Sequence, residues 1–258
     1  IYLRMPTFFN DYYEPFVGGG AVFFDLKKAN SIISDSNFEL ISSYECIKEN
    51  DCKDKLLKKL KNFETNHSEI FYYQIRDLDR TYNLKKIPKH EIAARFIYLN
   101  KACFNGMYRV NSKGYYNVPY GKKEKIKTFD ETNINNINKF LNQSNVKIFN
   151  SDYLEVVKRA KKDDFVYFDP PYDKVLTTSF TKYQKDDFNT EDQIKLSQTF
   201  KALSDKGVKV LLSNHNTPLI KELYSSYHID VIYAKRSINS DSKNRGLVEE
   251  VLIRNYDR

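Results

Sequence analysis

An acid, two prolines and an aromatic residue directly follow an apolar run in the segment DFVYFDPPYD, residues 164–173. Proline keeps its carbonyl oxygen but has no N–H, and its ring fixes φ, so this turn is stiff. Asp169 and the carbonyl of Pro170 therefore form a rigid pair of acceptors, and Tyr172 offers a ring face for stacking. Such a pair suits an exocyclic amine on an aromatic base, because an NH2 group has two donors. A strand that simply ends at a proline turn is the alternative.

Alkylation of such an amine requires no nucleophilic side chain. Hydrogen bonds that strengthen as the nitrogen becomes positive favour the transition state without a covalent enzyme intermediate. The sequence contains no G-x-S-x-G motif, and its four histidines are scattered and form no Cys/His pair with useful spacing. We therefore interpret Asp169 as an acceptor and not as a nucleophile.

Three consecutive glycines, Gly18–Gly20, separate a predicted strand from a predicted helix in YYEPFVGGGAVFFDL. Glycine lets the backbone approach a ligand, and the helix that follows offers unpaired N–H groups. The pattern matches neither the dinucleotide nor the phosphate-loop fingerprint. Asp35 ends the next predicted strand, where an acid can accept hydrogen bonds from ribose hydroxyls or cap a helix. A glycine turn without a ligand is the alternative, but turn and acid together favour a nucleoside-containing cofactor.

Strand-length and helix-length segments alternate over most of the chain. The predicted strands are Tyr12–Val17, Ser31–Ser34, Val146–Phe149, Phe165–Phe168, Val208–Leu212, Ile229–Ala234 and Val248–Arg254. The predicted helices between them are Ala21–Ala29, Phe38–Glu49, Tyr153–Lys161, Glu191–Lys206 and Pro218–Tyr227. This alternation predicts an α/β fold with a mostly parallel, doubly wound sheet.

The alternation fails in residues 51–142, which we interpret as an inserted, mainly helical lobe. Residues 1–50 and 143–258 then form the main domain. The chain carries a net charge of +8, and the segment Leu84–Lys127 alone has eleven Lys and Arg against two acids. A basic segment with interleaved aromatic residues is typical of binding to a phosphate backbone, although a solvated lysine-rich face has the same composition.

Cys46, Cys52 and Cys103 form an odd and sparse set without metal-ligand spacing, which favours a reducing compartment over a disulfide framework. No apolar run reaches the roughly 18 to 20 residues of a membrane span. We expect a cytoplasmic monomer without membrane association.

The motif EPFVGGG, followed about 150 residues later by DPPY, resembles the α-group amino-methyltransferases. The chain is most similar to the Dam-type DNA adenine-N6 methyltransferases that act at GATC, through FNGMYRVNSKGYYNVPYG, SFTKY, VLLSNHNTPLI and KRSINS. The resemblance implies a Rossmann-like methyltransferase sheet with an inserted DNA-recognition lobe. It also implies S-adenosylmethionine as cofactor and methyl transfer to adenine N6 in double-stranded DNA by base flipping.

The resemblance implies a cofactor site built from Glu14, Phe16, Gly18, Gly20, Asp35, Asp152, Tyr153 and Asp169. Among these, Asp35 corresponds to the acid that holds the ribose, and Tyr153 lies near the adenine of the cofactor. Asp169, Pro170 and Tyr172 correspond to the pocket that receives the flipped adenine.

The same resemblance places DNA contacts in the lobe, at Phe104, Asn105, Met107, Arg109, Asn111, Pro119, Lys122 and Lys123. Phe104 corresponds to a wedge beside the flipped base, and Asn105 faces the orphaned partner base. Arg109 corresponds to a contact with a guanine edge, Met107 and Pro119 to contacts with a thymine methyl. Ordinary core packing is the alternative for Phe104 and Met107.

Three other functions stay open: N4-cytosine methylation, a catalytically silent DNA-binding module, and a nucleoside-binding metabolic enzyme. The family's KW.GGK segment does not precede IYLRMPTFF, so we expect the chain to be a fragment of a longer protein. The resemblance does not indicate whether a cognate restriction endonuclease exists.

Overall fold

The computed structural model describes residues 1–174, 188–235 and 247–257. These residues form two compact units, one of Ile1–Ser36 with Ser151–Arg258 and one of Asn37–Asn150. The sequence placed the boundaries of the inserted lobe at 50/51 and 142/143. The helix Phe38–Lys48 and the strand Asn145–Asn150 lie outside these boundaries, but they pack with the helices of the second unit. Of the family-like segments, SFTKY lies outside the described residues, as does KRSINS after its first residue.

The described strands are β1 (Tyr12–Glu14), β2 (Asn30–Asp35), β3 (Asn145–Asn150), β4 (Phe165–Phe168), β5 (Lys209–His215), β6 (His228–Lys235) and β7 (Leu247–Arg254). The described α-helices are α1 (Ala21–Leu26), α2 (Phe38–Lys48), α3 (Asn50–Thr65), α4 (Glu69–Arg76), α5 (Leu78–Thr81), α6 (Lys89–Ala102), α7 (Glu131–Gln143), α8 (Tyr153–Val157), α9 (Thr190–Asp205) and α10 (Pro218–Leu223). Every predicted strand is present. Strand β1 ends three residues earlier than predicted, because Pro15 has no N–H for the ladder.

Six strands of the first unit form a mixed sheet in the order β2-β1-β4-β5-β7-β6. Strand β1 is parallel to β2 and β4, and β4 is parallel to β5, whereas β7 is antiparallel to both β5 and β6. The predicted α/β, Rossmann-like architecture is confirmed, with a mixed sheet. In such a sheet the carboxyl ends of the parallel strands meet at one edge, so the loops after β1, β2, β4 and β5 are the ones that form a site.

The core of the first unit lies along the central strands. All four residues of β4 are at most 1% exposed, and so are Val210, Leu211 and Leu212 of β5. Burial of a large apolar side chain contributes about 1.5 to 3 kcal/mol. The loops that follow these strands are therefore attached to the most rigid part of the sheet.

The second unit packs α2, α3 and α4 around α6. Arg95 of α6 is 1% exposed and forms ion pairs with Glu39 and, at 2.8 Å, with Asp79. Its guanidinium also donates to the carbonyl oxygens of Ile75 at 3.1 Å and Arg76 at 2.8 Å. Arg95, although it belongs to the basic segment, therefore links helices in the interior of the second unit, because a buried charge requires partners.

Two further features of the second unit were not predicted. Helix α7 escaped prediction because asparagine, which recurs along ETNINNINKFLNQ, is a poor helix former, although Ile134 and Leu141 lie on one face and are buried. Cys46 and Cys52 form a disulfide with their Cα atoms 5.0 Å apart, where α2 and α3 meet, while Cys103 is buried and free. The odd and sparse set of cysteines had favoured a reducing compartment over a disulfide framework, and this disulfide was not predicted.

The helices that the structure describes include none with the length and apolar character needed to cross a membrane.

Candidate functional site

The glycine turn joins β1 to α1 and is tied to the end of β2. The Gly18 N–H donates to Oδ2 of Asp35 at 3.1 Å, and the Val17 N–H donates to the carbonyl of Ser34 at 3.0 Å. Gly20 begins α1 from a left-handed conformation, with φ of 68°, which favours glycine. The turn and the acid that the sequence linked are therefore directly bonded.

A cavity of about 660 Å³ opens beside this turn, entirely within the first unit. All eight residues predicted to bind the cofactor line it, namely Glu14, Phe16, Gly18, Gly20, Asp35, Asp152, Tyr153 and Asp169. Five acidic residues line it, because Asp192 joins the four acids of that set, and its described lining contains no Lys or Arg. Such a lining attracts cations and hydroxyl donors and repels phosphate.

Aromatic rings form one side of the cavity. The rings of Phe16 and Tyr153 are 5.0 Å apart at an interplanar angle of 31°, and Phe188 meets Phe16 edge-on at 5.9 Å. The ring of Phe168 in β4 packs against the rings of Phe16 and Tyr153, with a centroid distance of 6.2 Å to each. These rings form an apolar wall against which a flat heterocycle can pack, next to the acidic side chains.

Glu14 is the most buried acid of the cavity lining, with 3% of its surface exposed. The Tyr12 hydroxyl donates to its Oε2 at 2.6 Å. The pKa of Glu14 is raised to about 8, mainly by burial and to a lesser degree by the negative charge of Asp169, against the lowering effect of the hydrogen bonds from Tyr12 and the Phe23 backbone. A cation bound beside Glu14 would favour its ionised form.

The DPPYD turn follows β4 and is braced from behind. Asp169 is exposed to the cavity, and its Oδ1 accepts a hydrogen bond of 2.6 Å from the Ser213 hydroxyl. The Pro171 carbonyl accepts from Gln193 Nε2 at 3.0 Å, and the Asp173 N–H donates to Oδ1 of Asn214 at 2.8 Å. The stiffness expected from the two prolines is thus reinforced by side chains from α9 and β5.

Tyr172 lies outside the cavity lining. Its half-buried ring meets the ring of His215 edge-on, with centroids 4.9 Å apart. Burial, and then the charge of Asp169, raise the pKa of its hydroxyl well above the usual range for tyrosine. Its stacking role stays a prediction.

In the second unit, the segments around residues 103 and 120 lie side by side. Cys103 and Tyr120 form an antiparallel bridge, and the Phe104 N–H donates to the Pro119 carbonyl at 2.9 Å. A Cβ at Gly121 would lie 2.5 Å from the carbonyl oxygen of Cys103, so only glycine fits there. The predicted DNA-contact residues on both segments are held in one fixed arrangement.

The side chains of Phe104 and Arg109 reach solvent. Phe104 is 47% exposed, so the core-packing alternative is wrong for it, whereas Met107 is half-buried. Arg109 is exposed and donates through Nε to Oδ1 of Asn117 at 2.7 Å and through Nη2 to the Asn117 carbonyl at 3.3 Å. Asn117, which the sequence did not single out, thus orients the predicted base-reading guanidinium.

The other predicted contact residues lie on the same part of the second unit. Asn105 is exposed with a left-handed φ of 54°, and Pro119, Lys122 and Lys123 are exposed as well. Asn111 Oδ1 accepts from the N–H groups of Lys113 and Tyr115, which closes a tight turn. Any DNA contact of Asn111 therefore falls to its amide nitrogen.

Prediction from the sequence missed several residues of the site. Phe188, just before α9, and Asp192, in its first turn, line the cavity, and Ser213, Gln193 and Asn214 form hydrogen bonds to the DPPYD turn. The segment VLLSNHNTPLI carried a signal for Ser213 and Asn214, because two polar residues end an otherwise apolar strand.

Comparison with known proteins agrees with this geometry. A family model described as D12 class N6 adenine-specific DNA methyltransferase matches residues 1–238. The type II methyltransferase M1.LlaDCHI of Lactococcus lactis subsp. cremoris is 42% identical over 253 residues, 98% of this chain and 88% of that protein. The type II methyltransferase M.MjaIII of Methanocaldococcus jannaschii is 42% identical over 261 residues, which cover 95% of this chain and 88% of that protein. The DNA adenine methylase of Escherichia coli K12 is 34% identical over 241 residues, which cover 93% of this chain and 84% of that protein.

Proposed function

We infer the reaction of this chain from its family, and the chain belongs to the D12 class N6 adenine-specific DNA methyltransferases. It is accordingly an enzyme that methylates adenine in DNA. We further propose that S-adenosylmethionine is the methyl donor, that the target adenine is flipped out of the duplex, and that the recognised site is GATC. The observation that carries the proposal is the acid-lined cavity that ends at the Asp169–Pro170 acceptor pair.

The charge of the cavity supports S-adenosylmethionine as the cofactor. This molecule carries a sulfonium and an ammonium group but no phosphate, and when bound it supplies an electrophilic methyl group. Asp35 would accept hydrogen bonds from its ribose hydroxyls, and its adenine would pack against the aromatic wall of Phe16 and Tyr153. The carboxylates of Glu14 and Asp169 would face the cationic end.

The acceptor pair supports an exocyclic amine as the group that is methylated. Asp169 and the Pro170 carbonyl would each accept one N–H of adenine N6 and so fix the direction of its lone pair. As nitrogen gains positive charge, these hydrogen bonds strengthen, so they stabilise the transition state more than the bound substrate. A base stacked in a duplex does not reach a turn at a strand end, and base flipping follows from that requirement.

The GATC assignment rests on the likeness of residues 104–121 to Dam-type enzymes and on the exposure of Phe104 and Arg109. An exposed aromatic ring can fill the gap left by a flipped base. A guanidinium held by Asn117 is pre-organised for a guanine edge, the commonest specific contact of arginine in the major groove.

A labelled-methyl assay tests the proposal. The full-length protein is incubated with labelled S-adenosylmethionine and duplexes that contain GATC, a single-base variant of it, or GATC already methylated on both adenines. We expect label only in the first duplex, in N6-methyladenine identified by mass spectrometry. Label in cytosine would overturn the adenine assignment, and equal label in the single-base variant would overturn GATC.

Replacing Arg109 with alanine is expected to relax sequence choice. The ratio of kcat/KM between GATC and a duplex with its guanine replaced should fall by a factor equivalent to about 1 to 3 kcal/mol. The measurement is competitive methylation of the two duplexes.

Lys122→Ala is the matched control for Arg109→Ala, because Lys122 is an exposed cation of the same surface. Loss of a phosphate contact there should weaken binding to all sequences alike. It should also reduce the slope of log affinity against log salt concentration by about 1. Unchanged discrimination in Arg109→Ala would refute its base-reading role.

The alternatives differ in what they leave unexplained. Family membership favours adenine N6 over cytosine N4. A silent DNA-binding module would have no need for Asp169 braced beside an acidic cavity, and a cofactor titration separates that case. A metabolic enzyme would have no need for the basic segment, and DNA affinity that falls with salt would argue against it.

A further inference from the structure

A buried pair of hydroxyl groups lies directly behind Asp169. Ser213 of β5 is 2% exposed and Tyr167 of β4 is 1% exposed. The Ser213 Oγ is 2.6 Å from Oδ1 of Asp169 and 3.1 Å from the Tyr167 hydroxyl. The three polar groups thus form a chain that starts in the core and ends at the cavity.

The direction of this chain follows from the number of hydrogens. An ionised carboxylate only accepts, so the single proton of Ser213 goes to Asp169, its shortest contact. The Phe168 carbonyl is a more distant acceptor, at 3.3 Å. Tyr167 must then donate to the Ser213 oxygen, and the order is Tyr167 to Ser213 to Asp169.

The backbone makes this arrangement rigid. Strands β4 and β5 are paired in parallel, with Tyr167 opposite Leu211 and Phe168 opposite Leu212. Ser213 therefore lies opposite the point where β4 ends and Asp169 begins. One carboxylate oxygen of Asp169 is fixed by a strand of the sheet, and the rotation of the exposed carboxylate is fixed with it.

We propose that Ser213, oriented by Tyr167, is a positioning residue that fixes the Asp169 carboxylate so that Oδ2 is available to the target amine. The inference rests on the proposed methyl transfer to an amine held by Asp169. Ser213 does not line the cavity and acts only through Asp169. Its loss should therefore affect the chemical step and not the binding of substrate or cofactor.

The test replaces Ser213 with alanine in the full chain. We expect kcat to fall about 10- to 100-fold, the loss typical of residues that orient a metal ligand through a hydrogen bond. The KM values for cofactor and DNA should change less than twofold. Ser213→Thr keeps the hydroxyl and should restore most of kcat. Tyr167→Phe leaves the Ser213 hydroxyl in place and should cause a smaller fall.

Ser31→Ala is the matched control, because Ser31 is also a fully buried strand serine whose hydroxyl is bonded, at 2.7 Å to the Lys28 carbonyl. It should lower the melting temperature about as much as Ser213→Ala and leave kcat unchanged. An equal loss of kcat in both variants, or none in an active Ser213→Ala enzyme, would overturn the proposal.

A second readout does not depend on activity. Isotope-edited infrared spectra of the carboxylate stretch of Asp169, assigned with Asp169→Asn, should shift in Ser213→Ala and not in Ser31→Ala. If the wild-type protein transferred no methyl group, the proposed function would fail, whereas an unshifted carboxylate band would refute the Ser213 contact itself.

Discussion

Replacing Asp169 with alanine is expected to abolish methyl transfer while binding to DNA persists. The substitution removes the carboxylate that the target amine would contact and leaves the exposed cations of the second unit unchanged. Loss of one preorganised group at a developing charge costs on the order of 10² to 10³ in kcat, and here the group also holds the substrate in place. Single-turnover transfer and DNA affinity, measured side by side, separate the two effects.

Asp169→Asn is the isosteric control. It keeps one carbonyl oxygen as an acceptor but removes the negative charge, so its activity should lie between those of alanine and wild type. The alanine variant also leaves the Ser213 hydroxyl without its 2.6 Å partner, so its melting temperature must show that it is folded. More than a tenth of wild-type activity in folded Asp169→Ala would contradict the assigned role.

Glu14 is expected to make the protein less stable as the pH rises. Its pKa is about 8 in the folded chain, against an ordinary value of 4.5. Between these values the unfolded chain loses the proton that the folded chain retains, so the free energy of unfolding decreases with pH. The contribution is fully present below pH 4.5 and is lost as the pH rises through about 8, and its full size is on the order of 4 to 5 kcal/mol.

Glu14→Gln should remove this pH dependence, because the amide cannot ionise. Denaturant unfolding at pH 5.5, 7 and 8.5 should show wild type losing stability relative to the variant. Glu155→Gln, which changes an exposed glutamate, is the control and should follow wild type. Parallel curves for wild type and Glu14→Gln would contradict the raised pKa.

The cavity was predictable because its residues lie where strongly patterned segments end. Apolar runs before Asp35 and Asp169 indicated strands, and parallel strands bring their carboxyl ends to one edge. These two acids, 134 positions apart, could therefore be placed together from the pattern, whereas Glu14 lay inside a predicted strand and was added only by the family resemblance. The glycine turn added the space beside them.

Other features depend on contacts that no local pattern encodes. Ser213 meets Asp169 across 44 residues of chain, and only the strand register brings them together. Tyr172 packs at right angles to the ring of His215, which lies 43 residues further along the chain, and no local pattern indicated this contact. Arg95 counts toward the basic excess in composition, yet its acid partners lie 56 and 16 residues away and hold it in the interior.

The close approach at Gly121 sets a rule for altering the proposed sequence preference by directed evolution. Every other amino acid there would push its Cβ into the Cys103 carbonyl, and the bridge that places Phe104 beside Pro119 would have to open. A randomised library should therefore keep the Gly121 codon constant and vary the codons of Met107 and Arg109. Variants recovered from such a library would differ in their contacts and not in the framework that presents them.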